Sequence, residues 1–308
     1  MTEIPIIVVT WNSGSHIQNW LDSVKQLECP DGVRCFPYIV DNGSWDRTPG
    51  IIWEAVRDGT VKRNDVLWLE DNTGFTRAQN LAFRHVCNRK KVKYVATLNP
   101  NATGEAGWLK HLYMAALEVT GDEHVGMWGG PIRRPECPMR MSSAGHTLRS
   151  DGAFLDIDWN RPISEAVSMD RHFVPFSPCF AASLWSVRML ADVGLPANDQ
   201  FMYYDDVDLG YRARLDKWKA QFVTRATAKH PLPNSSVPSD EIRLWRTIGR
   251  LKVVGRYFPE PQRSRILEDA KAEKPEVFDN IADQHLSPCH SQTERRRVYD
   301  EWTDKYLD

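Results

Sequence analysis

This chain of 308 residues lacks most of the patterns that assign a protein quickly. Its six cysteines, at 29, 35, 87, 137, 179 and 289, form no C-x-x-C pair and no regular spacing. That excludes a disulfide scaffold and a zinc cluster and fits a reducing compartment. No basic segment precedes the short apolar run of MTEIPIIVVTWN, so neither a signal peptide nor a membrane span is expected there, and a cytoplasmic location is. Charge of either sign is scarcely in excess: 39 Lys and Arg face 41 Asp and Glu, a formal net charge of −2. Such a balance speaks against a protein that coats nucleic acid. No G-x-G-x-x-G follows the first apolar run and no G-x-x-x-x-G-K-[ST] occurs, which removes the usual dinucleotide and P-loop phosphate cradles. Internal repeats and low-complexity segments are absent too. What remains is ordinary globular material, 42% hydrophobic and 26% charged, long enough for one large domain or two smaller ones. Its 12 tryptophans suit core packing as well as stacking on sugars or bases.

The first half alternates. Ile4 to Thr10 is a continuous β-branched run, expected of a strand buried on both faces. Ile17, Trp20, Leu21, Val24 and Leu27 form a helical stripe. Strands are predicted at Phe36 to Val40, Val66 to Leu69 and Tyr94 to Leu98, with a helix from about Thr76 to Arg89 before the last. This order predicts an α/β fold with a parallel sheet. Each strand runs into polar turn residues: Thr10-Trp11-Asn12, Asp41-Asn42-Gly43, Asn72-Thr73-Gly74 and Asn99-Pro100-Asn101. Any one such turn needs Asp, Asn and Gly for its own geometry. Four in succession at the carboxyl ends of parallel strands describe a crevice for a polar ligand such as a nucleotide.

The second half centres on FMYYDDVDLG, residues 201–210. Asp205, Asp206 and Asp208 follow a run of aromatics, and Val207, Tyr211, Leu215 and Trp218 make a near-helical stripe. The acids therefore fall at a helix N-terminus, where an ionised carboxylate is favoured and can take a proton from a hydroxyl. The same residues also read as a capping pair, Asp205 with Asp208. Met127 to Pro175 is irregular, with a hairpin expected near Leu148 to Leu155. Phe180 to Val193 reads as helix and Phe222 to Ala228 as strand, closing at Lys229-His230-Pro231. His230 becomes a metal ligand only where donors from another strand end converge on it. Composition shifts after Pro233-Asn234-Ser235-Ser236, which marks off residues 1–235 from a helical extension over 236–308. Within that extension, Ile242 to Tyr257 carries Arg243, Arg246, Arg250, Lys252 and Arg256. A helix of this kind can pack as a solvated charged face, lie on an anionic membrane, or touch a phosphate-bearing acceptor.

Taken together, IIVVTWN, VDNGSWD, EDNTGFTRAQN, LNPNA, SSAG at 142–145, FMYYDDVDLGYRARL and AKH at 228–230 resemble the family 2 glycosyltransferases of the GT-A fold. The likeness is to the bacterial rhamnosyl- and galactofuranosyltransferase-like branch, and it spans residues 3–235. It implies a Rossmann-like, mostly parallel sheet flanked by helices, and an inverting transferase using a UDP- or dTDP-sugar. Asp41 would accept from the imide N–H of the base, with Thr10 and Trp11 beside it. Asn72, Gly74, Phe75, Arg77, Asn80 and Asn99 would lie along the ribose and diphosphate. Asp206 would be the general base, with Asp205 as its neighbour. Asn101 and His230 stand where the family holds Mg²⁺ or Mn²⁺, yet Asn99-Pro100-Asn101 replaces the usual acidic signature. Neutral amides bind a hard cation less tightly than carboxylates, so the ion would be carried by the diphosphate or replaced by Arg77. The acceptor would be a glycan, a lipid-linked molecule or another hydroxyl, with residues 242–257 placing the enzyme peripherally at the inner membrane face. Two rival readings stay open: a nucleotide-sugar-binding module without turnover, and a transferase acting on hydroxylated bases in DNA.

Overall fold

Alternate residues of the first strand feed opposite sides of the molecule. In β1 (Thr2–Thr10), Ile4, Ile6 and Val8 enter one hydrophobic cluster, while Ile7 and Val9 enter a second across the sheet. Each such burial contributes about 1.5–3 kcal/mol, and having two apolar faces is what forces helices onto both. A computed structural model describes residues 1–119, 124–170, 172–231, 239–281 and 283–306.

After β1 come α1 (Ile17–Lys25), β2 (Val33–Asn42), α2 (Thr48–Arg57), β3 (Val66–Leu69), α3 (Phe75–Cys87) and β4 (Tyr94–Leu98). The expected strands and helices are all present; α2 adds a helix where no element was expected, started by Pro49 in its first turn. Next are β5 (Thr103–Gly104), α4 (Trp108–Glu118), β6 (Val125–Gly129), β7 (Ile132–Arg134), β8 (Cys137–Ser143), β9 (His146–Leu148) and β10 (Phe154–Asp156). The hairpin expected near Leu148 to Leu155 is β9 paired with β10, Phe154 opposite Leu148. Then follow β11 (Ala182–Ser186), α5 (Val187–Val193), α6 (Asp205–Leu215), β12 (Lys219–Phe222), β13 (Ala228–Lys229), α7 (Ser239–Tyr257), α8 (Gln262–Glu273), α9 (Pro275–Phe278) and α10 (Gln292–Trp302).

The main sheet has seven strands in the order β12-β6-β11-β4-β1-β2-β3. Two expectations are corrected here. The helix expected over Phe180 to Val193 is strand β11 followed by the short α5, and β11 runs antiparallel to both β4 and β6. Every residue of β11 is buried, and a fully buried strand has no alternation to separate it from a helix. The strand expected over Phe222 to Ala228 is two strands broken by a turn, closed by the Ala226 N–H donating to the Val223 carbonyl. The turn also brings the Ala226 carbonyl so close to Gly130 that a Cβ at 130 would lie 2.1 Å from its oxygen. A smaller sheet, β5-β13-β7-β8, stands beside the main one.

The boundary expected at 235/236 lies outside the described residues. On its far side, the extension packs against α6. Val253, Val254, Tyr257, Phe258 and Trp302 share one buried cluster with Leu148, Phe176, Val207, Tyr211 and Leu215. The basic helix α7 is therefore not a free charged face: Lys252 and Arg256 are 4% and 6% exposed. Among the described residues, no helix is long and apolar enough to cross a membrane.

Candidate active site

The sheet order sets the position of the crevice. From β1 the chain steps outward through β2 to β3, then returns to place β4 on the other side of β1. Loops leaving β1 and β4 therefore diverge, and the opening between them is where parallel sheets receive ligands. At the end of β1 Thr10 is fully buried, and its Oγ1 donates to Asp41 Oδ1 at 2.8 Å. The Ser44 N–H donates to Asp41 Oδ2 at 3.2 Å, which fixes the carboxylate from both sides at the end of β2. Trp11 stays 37% exposed. Asn12 ties this loop to the next: its N–H donates to Ser44 Oγ and its Oδ1 accepts from the N–H of Trp45, itself 82% exposed. A held carboxylate with two open indole faces nearby suits a flat, N–H-bearing base.

The ends of β2 and β3 are joined by Asn42. Its amide N–H₂ donates to Asn72 Oδ1 at 2.9 Å, and its oxygen accepts from the Thr73 N–H at 3.0 Å. Gly74, at φ +88°, could carry no side chain: a Cβ there would meet the Phe201 carbonyl oxygen at 2.6 Å. The Asn72-Thr73-Gly74 loop is thus pressed against the start of the acidic stretch, and the Thr76 N–H donates to the same carbonyl. Phe75 is half-buried against the core. Asn80 is buried, and its amide donates to the Pro196 carbonyl and Asn198 Oδ1, bracing the loop that leads to the acids. Arg77 is exposed at the mouth of an open cavity of about 410 Å³, with Arg84, Asn198 and Asp199.

The three acids have separate surroundings. Tyr204, not Asp205, precedes the helix as its cap, with φ +63°, and Tyr203 before it is at φ +65°; no side chain caps the helix, so the expected Asp205–Asp208 capping pair does not form. Two consecutive left-handed tyrosines are costly and turn the chain sharply into α6. Asp208 is fully buried, accepting from Arg212 Nε at 3.0 Å, Tyr257 Oη at 2.7 Å and the Ala197 N–H at 3.0 Å. Asp205 is buried with its Oδ2 unpartnered, and desolvation, then the neighbouring Asp206 charge, push its carboxyl well above the usual range. Asp206 keeps 13% of its side chain exposed. Its Oδ1 accepts from the Val207 N–H at 2.9 Å, and its Oδ2 from the Phe180 N–H at 3.2 Å.

That second bond connects Asp206 to the sheet. Ala181, next to Phe180, accepts from the Asn99 N–H through its carbonyl, so the end of β4 and Asp206 are held by neighbouring residues of one segment. The same segment introduces groups that the sequence did not single out. His146, directly after SSAG, has Nε2 at 3.6 Å from Asp206 Oδ2 and 3.7 Å from Asp156 Oδ1, while its Nδ1 meets Ser177 Oγ at 3.1 Å. Cys179 lies close by; ligating atoms of His146, Cys179 and Asp206 fall within 4.8 Å of one another. Burial pushes the Cys179 thiol well up, which leaves a soft, neutral sulfur unsuited to a hard divalent ion. The SSAG motif just before it and the hairpin expected near Leu148 to Leu155 were the sequence signals nearest to His146.

Sheet register brings the segments of two expected metal ligands to the same place. Lys229 pairs with Thr103 in the antiparallel β13–β5 ladder, so His230, just after β13, and Asn101, two residues before Thr103, lie at the same end of that ladder. The surrounding protein pushes the part-exposed His230 down to about 4, which keeps its imidazole neutral and free to ligate near pH 7. Asn99, Asn101 and His230 bring no charge. They fit an ion that arrives with the charge of a diphosphate, not one held by protein alone.

Comparison with known proteins agrees with this layout. Residues 1–349 of TarS from S. aureus share the fold at TM-score 0.54 and 15% identity, over 90% of this chain and 74% of that one. A mannosyltransferase from Pyrobaculum calidifontis, in complex with GDP-Man and Mn²⁺, matches at 0.55 and 15%, over 97% and 74%. GalNAc-T7 with UDP, GalNAc and Mn²⁺ matches at 0.67 and 12%, over 98% of this chain and 55% of that one. The fold is that of the GT-A glycosyltransferases. Residues 6–135 match the model of glycosyl transferase family 2, and that segment is a family 2 segment. No curated protein matches the sequence.

Proposed function

We propose that the protein is an inverting glycosyltransferase that moves a hexosyl group from a UDP- or dTDP-sugar to an acceptor hydroxyl, with Asp206 as general base. The observation that carries this reading is the position of Asp206. It is the one acid of the three still open to solvent, and the Phe180–Ala181 segment anchors it to the end of β4 beside the crevice. Asp41 accepts from the base imide, and Trp11 lies against the ring. Asn72, Gly74 and Asn99 border the ribose and diphosphate, where Gly74 lets the backbone approach. Asp206 Oδ2 takes the acceptor proton as the acceptor oxygen attacks the anomeric carbon. Asn99, Asn101 and His230 would hold a divalent ion, which supplies positive charge beside the leaving diphosphate.

The neutral Asn101 favours one second reading, a nucleotide-sugar binder without turnover. Release of UDP or dTDP from a panel of donors, with simple sugars and sugar phosphates as acceptors, separates the two. Turnover lost in Asp206→Asn with donor binding intact supports the transferase; donor binding without release under any condition supports the binder.

A further inference from the structure

Five basic residues of α7 divide into two sets. Lys252 and Arg256 turn inward to Asp199, at 3.1 and 2.6 Å, and Arg256 also lies 3.5 Å from Asp208. Arg243, Arg246 and Arg250 share the other face at spacings of three and four. With Tyr204 and Lys274 they wall an open cavity of about 530 Å³ in which Glu273 is the one carboxylate. The cations are poorly matched. Arg243 pairs with Asp240, which is itself exposed, and Arg250 only reaches Asp151 at 4.0 Å. Among the described residues no carboxylate lies within 4.0 Å of Arg246 or Lys274. Arg246 instead lies over the Tyr203 ring at 5.0 Å.

The cavity adjoins the catalytic loop. Each turn of α7 touches the segment leading into α6: Trp245 packs on Phe201 at 4.6 Å, Arg246 on Tyr203, and Gly249 on Tyr204, where a Cβ would be 3.0 Å away. Tyr204 is both a wall of the cavity and the residue before Asp205-Asp206. The donor groups named above come from the ends of β1 to β4, whereas this cavity is built by α7, by the end of α8 and by Tyr204 just before α6. Four cations and one carboxylate, Glu273, line the cavity, and the acids outside the lining, Asp240 beside Arg243, Asp151 at 4.0 Å from Arg250 and Asp156 within the field of Arg246, leave the lining itself in cationic excess. Guanidinium forks in such a setting match phosphate oxygens.

We infer that this cavity is the acceptor subsite and takes an acceptor bearing a phosphate ester, whose phosphate the arginines hold while its hydroxyl reaches Asp206. The acceptor role rests on the transferase reading; the phosphate site does not. In the transfer, the acceptor oxygen forms its bond to the anomeric carbon and the carbon–oxygen bond to the diphosphate breaks. The electron pair leaves with the nucleotide, and the proton goes to Asp206.

Glycerol 3-phosphate and vesicles of phosphatidylglycerol, with phosphatidylcholine vesicles as the neutral control, test this by calorimetric titration and co-sedimentation. Wild type is compared with Arg243→Gln/Arg246→Gln, both on the exposed part of α7, and UDP is titrated into each. The expected result is binding of at least one anionic probe, weakened about tenfold or more in the variant, with UDP affinity unchanged. Binding of the soluble ester assigns a free phosphate acceptor; binding of the anionic vesicles alone assigns a lipid headgroup. No binding of either probe, equal binding by wild type and variant, or displacement of glycerol 3-phosphate by UDP overturns the inference. If the probe binds and UDP does not, the donor reading fails and the phosphate site stands.

Discussion

Three aspartates within four positions have three different roles, and the difference is made by residues far away in sequence. Asp208 is neutralised by Arg212 and held by Tyr257 and Arg256, about fifty positions on; Asp206 faces His146, sixty positions back. Among the described residues, Asp205 Oδ2 has no hydrogen-bond partner. Asp206→Asn is expected to lower kcat by about 10²–10⁴-fold while leaving UDP affinity and the melting midpoint in place. A collapse of stability in its place would make Asp206 structural. Asp205→Asn should behave in the opposite way. A carboxyl raised on folding binds its proton more tightly in the native state, so stability falls as pH rises from its unfolded value near 3.8 through its folded one. Removing the charge removes that loss. Urea midpoints at pH 5, 7 and 8 should show the variant gaining on wild type as pH rises; a constant difference across the range would contradict the raised carboxyl.

At the scale of elements, β1 to β4 were legible because each holds a short, mostly apolar run ended by turn residues. β11 was not, since burial on both faces erases the alternation that marks a strand. The site followed the same division. Asp41, Asn99 and Asp206 stand in motifs read along the chain, whereas His146 and the α7 clamp depend on contacts that the topology brings together. The division near 235 rests on a shift in composition and falls outside the described residues, and side chains from its two sides share one buried cluster. A chain ending at 235 would expose Val207, Tyr211 and Leu215 of α6, which otherwise pack against Val253, Val254, Tyr257, Phe258 and Trp302. Losing contacts of about 1.5–3 kcal/mol per side chain removes an amount comparable to a domain's whole 5–15 kcal/mol. Residues 1–235 alone are expected to show no cooperative thermal transition by circular dichroism. A sharp melt near that of the full chain would show the extension to be dispensable for folding.

For the whole molecule, the question is where the charge beside the donor comes from. The chain is nearly neutral and its buried carboxylates are mostly committed to internal work: Asp208 to α7, Asp65 to Arg89, and Asp158 to the Val167 and Ser168 N–H groups. The groups left to meet a cation, Asn99, Asn101 and a neutral His230, are uncharged. On the proposed reading, ion binding is then conditional on the diphosphate, and the two should be cooperative in the thermodynamic sense. UDP at a hundred times its Kd should raise the melting midpoint by about 4 °C. Mn²⁺ alone should leave the midpoint where it is, and Mn²⁺ with UDP should exceed UDP alone. Uridine, which offers the base and ribose without the diphosphate, should show no gain from Mn²⁺. A shift with Mn²⁺ alone would mean that the protein holds the ion by itself. A UDP shift indifferent to Mn²⁺ would leave the diphosphate to protein cations, with Arg77 the first to replace.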